Sequence, residues 1–180
     1  MTLPRNWGAS PAEVAAPYPC DRFVGGPSED WFRAVTVEAG ADVVFAWLCQ
    51  LKVAPYSYDL LDNGGRRSPR TRTAGLDRLE LGQTFMTIFD LVDFTPGRQV
   101  TLRMAEPRFA WLFGALVVSY TVRDREPGTS RLVVKMRVPV ESGPVRVGVI
   151  RALLGWGDLL MMRRQLRTLG RLAARDAALG

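Results

Sequence analysis

The chain has 180 residues, 47% of them hydrophobic and 23% charged, with a net charge of +6 and no histidine. That length suits one domain, and the balance of apolar and charged residues excludes a disordered chain. Without histidine there can be no Ser-His-Asp or Cys-His nucleophile and no His-ligated zinc or iron, so any proton transfer falls to Asp, Glu, Tyr, Lys, Arg or a water they hold.

Cys20 and Cys49 have no metal-ligand spacing and read as reduced thiols, so neither a metal nor another cofactor is expected. Lysine occurs only at Lys52 and Lys135, and the rest of the positive charge is arginine. Such a balance suits an anionic partner but reads most simply as solvated charge, and nucleic acid is not the expected partner. No run of about 18 apolar residues is present, which argues against a transmembrane segment. The first residues lack the basic start and apolar block of a signal peptide, which gives the expectation of a cytoplasmic protein.

In chain order, residues 1–30 read as an extended arm broken by Pro4, Pro11, Pro17, Pro19 and Pro27, with room for one helical turn at Ala12–Ala16. Residues 31–177 then read as a single domain. Trp31–Glu38 is a first strand ended by Gly40. Ala41–Lys52 is a short helix, with Val44, Trp47, Leu48 and Leu51 at helical spacing and Pro55 beyond its end. Tyr56–Asp62 predicts a second short helix or turn. Asn63–Gly75, with Arg66, Arg67, Arg70 and Arg72, reads as a loop too polar to pack, and as the mobile part of the domain.

From Gln83 the period becomes two. Thr84–Phe94 reads as one long strand, followed by a turn at Pro96-Gly97. Gln99–Ala105, Leu116–Arg123 and Arg131–Val140 alternate apolar and polar residues, the mark of antiparallel strands with one face in water. The last third is helical: Val145–Leu154 is apolar nearly all round, Gly155-Trp156-Gly157 is expected to interrupt it, and Asp158 to cap a restart or sit in a kink. Leu159, Met162, Leu166, Leu169 and Ala173 then form an apolar stripe opposite a face rich in arginine.

Bunched strands with helices at the margins predict an α+β fold, with a curved antiparallel sheet wrapped on the long C-terminal helix and two short helices after the first strand. From Trp31 to about Ala174 the chain resembles the START/Bet v 1-like (SRPBCC) superfamily, whose fold is the helix grip. Three stretches carry the resemblance. A-D-V-V-F-A-W-L-C-Q-L from Ala41 is similar to the family's first helix. Y-S-Y-D-L-L-D-N from Tyr56 and D-L-L-M-M-R-R-Q from Asp158 are similar to segments of a bacterial branch of unassigned function, as is the leader Tyr18-Pro-Cys-Asp. The resemblance implies a hydrophobic cavity between sheet and helix, a lipid-like or polyketide-like ligand, and in some members cyclase activity. The superfamily carries no universal catalytic motif, so no catalytic residue transfers.

A dry cavity of about 300 Å3 would cost about 7 kcal/mol, a large share of a domain's stability, so water or a ligand should fill it. The residues expected around it are Trp47, Tyr56, Tyr58, Phe89, Trp111, Phe113, Tyr120, Met136 and Trp156, each of which also reads as plain core. Tyr120 stands among aliphatic neighbours, so its hydroxyl needs a partner. Asp90 and Asp93, three apart in one strand, are expected on opposite faces and unable to share a site.

Three functions fit: binding of a small apolar molecule, a polyketide cyclase- or dehydratase-like enzyme, and a docking module without a ligand. The first is preferred, in a monomer or homodimer.

Overall fold

The computed structural model describes residues 3–58, 67–106, 115–140 and 145–179, with the backbone alone over 145–152. Strands β1 (Asn6–Trp7), β2 (Ser28–Val37), β3 (Thr84–Phe85), β4 (Phe89–Thr95), β5 (Gln99–Met104), β6 (Val117–Glu126) and β7 (Thr129–Pro139) form one sheet in the order β1-β2-β7-β6-β5-β4-β3. Neighbours are antiparallel except β1, which runs parallel to β2. The two end strands do not meet, so the sheet curves without closing. Helices α1 (Pro11–Ala15), α2 (Ala41–Cys49, continued by a 3-10 turn at Gln50–Lys52) and α3 (Val145–Ala177) complete an α+β helix-grip fold.

The alternating strands turn Leu102, Val118, Tyr120, Leu132, Val134 and Met136 to one face, where they form a single cluster with Trp47 and Leu48 of α2 and Leu166, Leu169 and Ala173 of α3. Each such side chain contributes about 1.5–3 kcal/mol by leaving water, which makes this face the main source of stability. The first amide of α2 donates to Asp124 Oδ1 of β6 at 3.2 Å, so a sheet carboxylate serves as that helix's N-terminal partner.

Several expectations are corrected. α3 is continuous through Gly155-Trp156-Gly157. Glycine costs a helix about 1 kcal/mol, but tertiary packing outweighs that here, with Gly155 buried against Trp31 and Pro4. Thr84–Phe94 is two strands: Met86 and Thr87 take left-handed φ values of 50° and 63°, and the Met86 amide donates to Leu51 O at 2.8 Å. A bulge between Leu91 and Asp93 shifts the register, so Asp90 opposes Arg103 and Asp93 opposes Thr101. Those partners are two apart on β5, which puts both aspartates on the same face, contrary to the simple alternation. They are not a carboxylate pair all the same, because Asp93 is held by Arg22 at 2.8 Å and Gln99 at 3.1 Å.

The outer face, expected to be wet, is largely covered by the N-terminal segment. Tyr18 packs edge-on against Phe32, and the Cys20 amide donates to Ser119 Oγ at 2.9 Å. Lys135 is buried between Asp21 and Asp30 at 2.7 and 3.1 Å. Glu13 of α1 pairs with Arg131 of β7 at 2.7 Å, and that guanidinium holds the Glu13 carboxyl at about 2. The second expected short helix and the start of the polar loop lie mostly outside the described residues. From Arg67 on the loop is tied down, with Thr73 exchanging two hydrogen bonds with the Gln50 side chain and Arg70 O accepting from Arg175.

Glycines 155 and 157 give a paired test. A Cβ on Gly157 meets nothing within 4 Å, whereas on Gly155 it would meet Pro4 at 3.2 Å. Gly157→Ala is expected to stabilise by about 0.5–1 kcal/mol and Gly155→Ala to lack that gain, read as urea midpoints at constant m-value.

Candidate functional site

Two regions compete as a site, the interior between sheet and helix and a cleft at the sheet's β1–β2 edge. In the interior, Trp47 is fully buried, donates through Nε1 to Asp176 Oδ2 at 3.0 Å and meets Tyr56 edge-on at 5.9 Å. The Tyr120 hydroxyl donates to Gln165 Oε1 at 2.9 Å, and Gln165 Nε2 donates to Pro55 O at 2.7 Å. Tyr120 therefore finds its partner within the protein, and burial pushes its phenol well above the usual tyrosine range. Phe89 and Met136 lie in the same core cluster.

A buried ion pair also enters this interior. Arg33 alternates inward on β2 and donates through Nη2 to Asp158 Oδ2 of α3 at 2.7 Å, while Nη1 donates to the carbonyls of Phe32 at 2.8 Å and Arg5 at 3.1 Å. The Asp158 side chain keeps 19% of its surface exposed and Arg33 none. Burial pushes the Asp158 carboxyl up to about 6, outweighing the lowering by Arg33. Its charge is also felt at Tyr120. Sequence reasoning read Asp158 as a cap or kink and passed over Arg33; the signal was an arginine at an inward position of an alternating strand.

The cleft lies between β2 and α3, where β1 stops. β1 pairs only with Phe32 and Arg33, and Gly8, at φ +82° and pressed on Ala34 O, turns the chain away. This leaves a cavity of about 880 Å3 lined on one side by Val35 and Val37 and on the other by Leu160, Leu166, Gly170 and Ala174. Arginines 131, 163, 164, 167 and 171 surround it, with Trp7, Tyr58 and Glu38. A smaller pocket of about 250 Å3 adjoins it, sharing Arg164 and Arg171 and including Tyr56 and Arg70.

Of the residues expected around a pocket, Tyr58 lines the cleft and Tyr56 the smaller pocket, whereas Trp47, Phe89, Tyr120 and Met136 sit together in the core. Trp156 is 48% exposed on α3, apart from both groups. Trp111 and Phe113 lie outside the described residues. Trp7 and the arginines of α3 were not singled out from the sequence as a site. Among the described residues no group of three Cys, Asp or Glu side chains is placed to hold a metal ion, and no helix is long and apolar enough to cross a membrane.

No protein-family model matches the chain, and no curated protein matches it. Among solved structures, a point mutant of norcoclaurine synthase from Thalictrum flavum, in complex with a transition-state analogue, is similar with a TM-score of 0.55 at 13% identity, over 85% of this chain and 98% of that one. Norcoclaurine synthase from Thalictrum flavum in complex with dopamine and hydroxybenzaldehyde gives 0.50 at 13% identity, over 83% and 88%. The likeness establishes the fold alone, a helix grip.

The buried ion pair makes a signed prediction. Asp158 titrates near 3.8 when unfolded and about 6 when folded. Its contribution to stability is therefore full below the lower value and is lost as pH rises through the upper one. Between pH 4 and 7 the wild type is expected to lose stability relative to Asp158→Asn, measured by urea unfolding; a difference that stays flat across this window would contradict the raised carboxyl.

Proposed function

We propose that this protein binds a small hydrophobic molecule between its sheet and its C-terminal helix. The cleft between β2 and α3 is the observation that supports this most: its volume, about 880 Å3, lies within the roughly 300–1,000 Å3 typical of ligand sites. Its accessible walls include apolar residues on both sides, Val35 on β2 and Leu160 and Ala174 on α3, over the buried Val37 and Leu166. A structure of similar fold holds dopamine and hydroxybenzaldehyde, which is consistent with small-molecule binding on this scaffold.

A cyclase- or dehydratase-like reaction is the second reading, and Asp158 favours it. A carboxyl that titrates at about 6 is matched to proton transfer near neutral pH, and it comes from the helix into the same interior as Tyr120.

Native mass spectrometry of freshly purified protein, with organic extraction of the same sample, tests the first reading. A near-stoichiometric apolar compound is expected, and Ala174→Trp, which fills the cleft from its α3 wall, is expected to lose it. A bare monomer that turns over polyketide-like substrates through Asp158 would shift the assignment to the second reading. A bare, stable dimer would count against both and favour a docking role.

A further inference from the structure

We propose that the β2–α3 cleft takes an anionic amphiphile: a molecule with one apolar chain and one acidic head, the head held by Arg163, Arg164 and Arg167. This rests on the binding reading above and adds the ligand's charge.

The charge balance of the cleft carries the argument. Among the described residues, five arginines line it against a single acid, Glu38. Arg131 is already neutralised by Glu13 and bonded to Gly8 O and Thr36. Arg163, Arg164, Arg167 and Arg171 are exposed on α3 and form no ion pair among the described residues. Elsewhere Arg5, Arg22, Arg33, Arg98 and Arg137 each have a carboxylate, while Arg78, Arg103, Arg123 and Arg125 form no ion pair among the described residues; what sets the cleft apart is four such arginines together. Like charges four apart on a helix repel, so this stretch is destabilised until an anion arrives.

These guanidinium groups are not free in solvent either. Arg163 and Arg167 both lie 5.5 Å from the centre of the Trp7 ring, and Arg164 lies 4.8 Å from that of Tyr58, with its Nε donating to Ser57 O at 2.8 Å. These ring contacts leave most of the N–H donors without a protein acceptor among the described residues, the arrangement that suits an oxyanion.

A head group alone would not need the rest of the cleft. From Leu160 to Ala174 the helix wall runs about 21 Å at 1.5 Å per residue. Between the arginines this wall is apolar at Leu160, Leu166, Gly170 and Ala174, of which Leu166 is fully buried and Leu160 55% exposed. An apolar chain lying there would cover Leu160 and continue the core outward. Nucleic acid fits less well, since the arginines cover the Trp7 ring that a base would have to stack on.

The test is isothermal titration of the intact protein with dodecanoate, dodecyl phosphate and dodecan-1-ol, all below their aggregation concentrations. At least one of the two acids is expected to bind about tenfold or more tighter than the alcohol, the scale of one charge-assisted hydrogen bond, and which acid wins distinguishes a carboxylate from a phosphate head. The double variant Arg163→Gln, Arg167→Gln is expected to lose most of that margin between acid and alcohol. Equal affinity for alcohol and acids would overturn the charged-head inference and leave the apolar-binding reading standing. A margin untouched by the double variant would also overturn it. Binding of none of the three would overturn both.

Discussion

Three of the contacts between helix α3 and β2 run in the same order along both elements. Gly155 lies against Trp31, Asp158 pairs with Arg33, and Gly170 lies against Val37. The helix covers about 22 Å between its outer two contacts and the strand about 20 Å between the matching ones, so the two run side by side. At both glycines an added Cβ would come within 3.5 Å of β2 side chains. At Gly170 a larger residue would crowd Val37 and press the helix away from the sheet. The buried ion pair between them adds little net stability, because desolvation offsets the attraction; what it fixes is register, since a helix displaced by one turn would strand the Arg33 guanidinium in the core. The interior on one side of this seam and the cleft on the other both take their width from it.

The opposite face of the sheet depends on a different solution. Strands β5, β6 and β7 present Thr101, Ser119 and Lys135 outward, and all three are buried. A buried lysine requires partners, and Asp21 and Asp30 provide them. Thr101 and Ser119 share a hydrogen bond at 2.8 Å, and the Cys20 amide completes Ser119's set. The proline-rich N-terminal segment thus forms a second layer, apolar where Tyr18 and Cys20 pack on Phe32, Ala34, Val117 and Val133 and polar beside it, stapled at its far end by the Glu13–Arg131 pair.

The α+β fold and the long closing helix were legible because alternation and helical spacing record which side of each element faces the core. What remained hidden depends on contacts between distant residues. Thr87 is β-branched and gave no hint of a left-handed turn; the Met86 amide reaching Leu51 O is a tertiary contact. The bulge beside Asp93 is invisible to a period-two reading, as is an outer face whose polar residues are satisfied by a segment a hundred positions away. Gly155 looked like a helix break because its compensation, close packing on Trp31, lies on another strand. Arg163 and Arg167, four apart with no acid between them, were the one local sign of the cleft.

The partnering of polar groups decides where a ligand's own polar atoms can be read. In the interior, Trp47 Nε1, Tyr120 Oη and Gln165 Nε2 already make hydrogen bonds of 2.7–3.0 Å to protein acceptors. A ligand seeking those donors would have to break good bonds and leave Asp176 or Pro55 O wanting, a poor exchange in a buried setting. The arginines of the cleft carry the opposite balance: charged, oriented by aromatic rings, and without carboxylates among the described residues. Because stacking has already restricted their rotamers, binding an anion there costs less ordering entropy than it would at free surface arginines. On the proposed reading, therefore, the core serves for shape and the rim of the cleft for recognition.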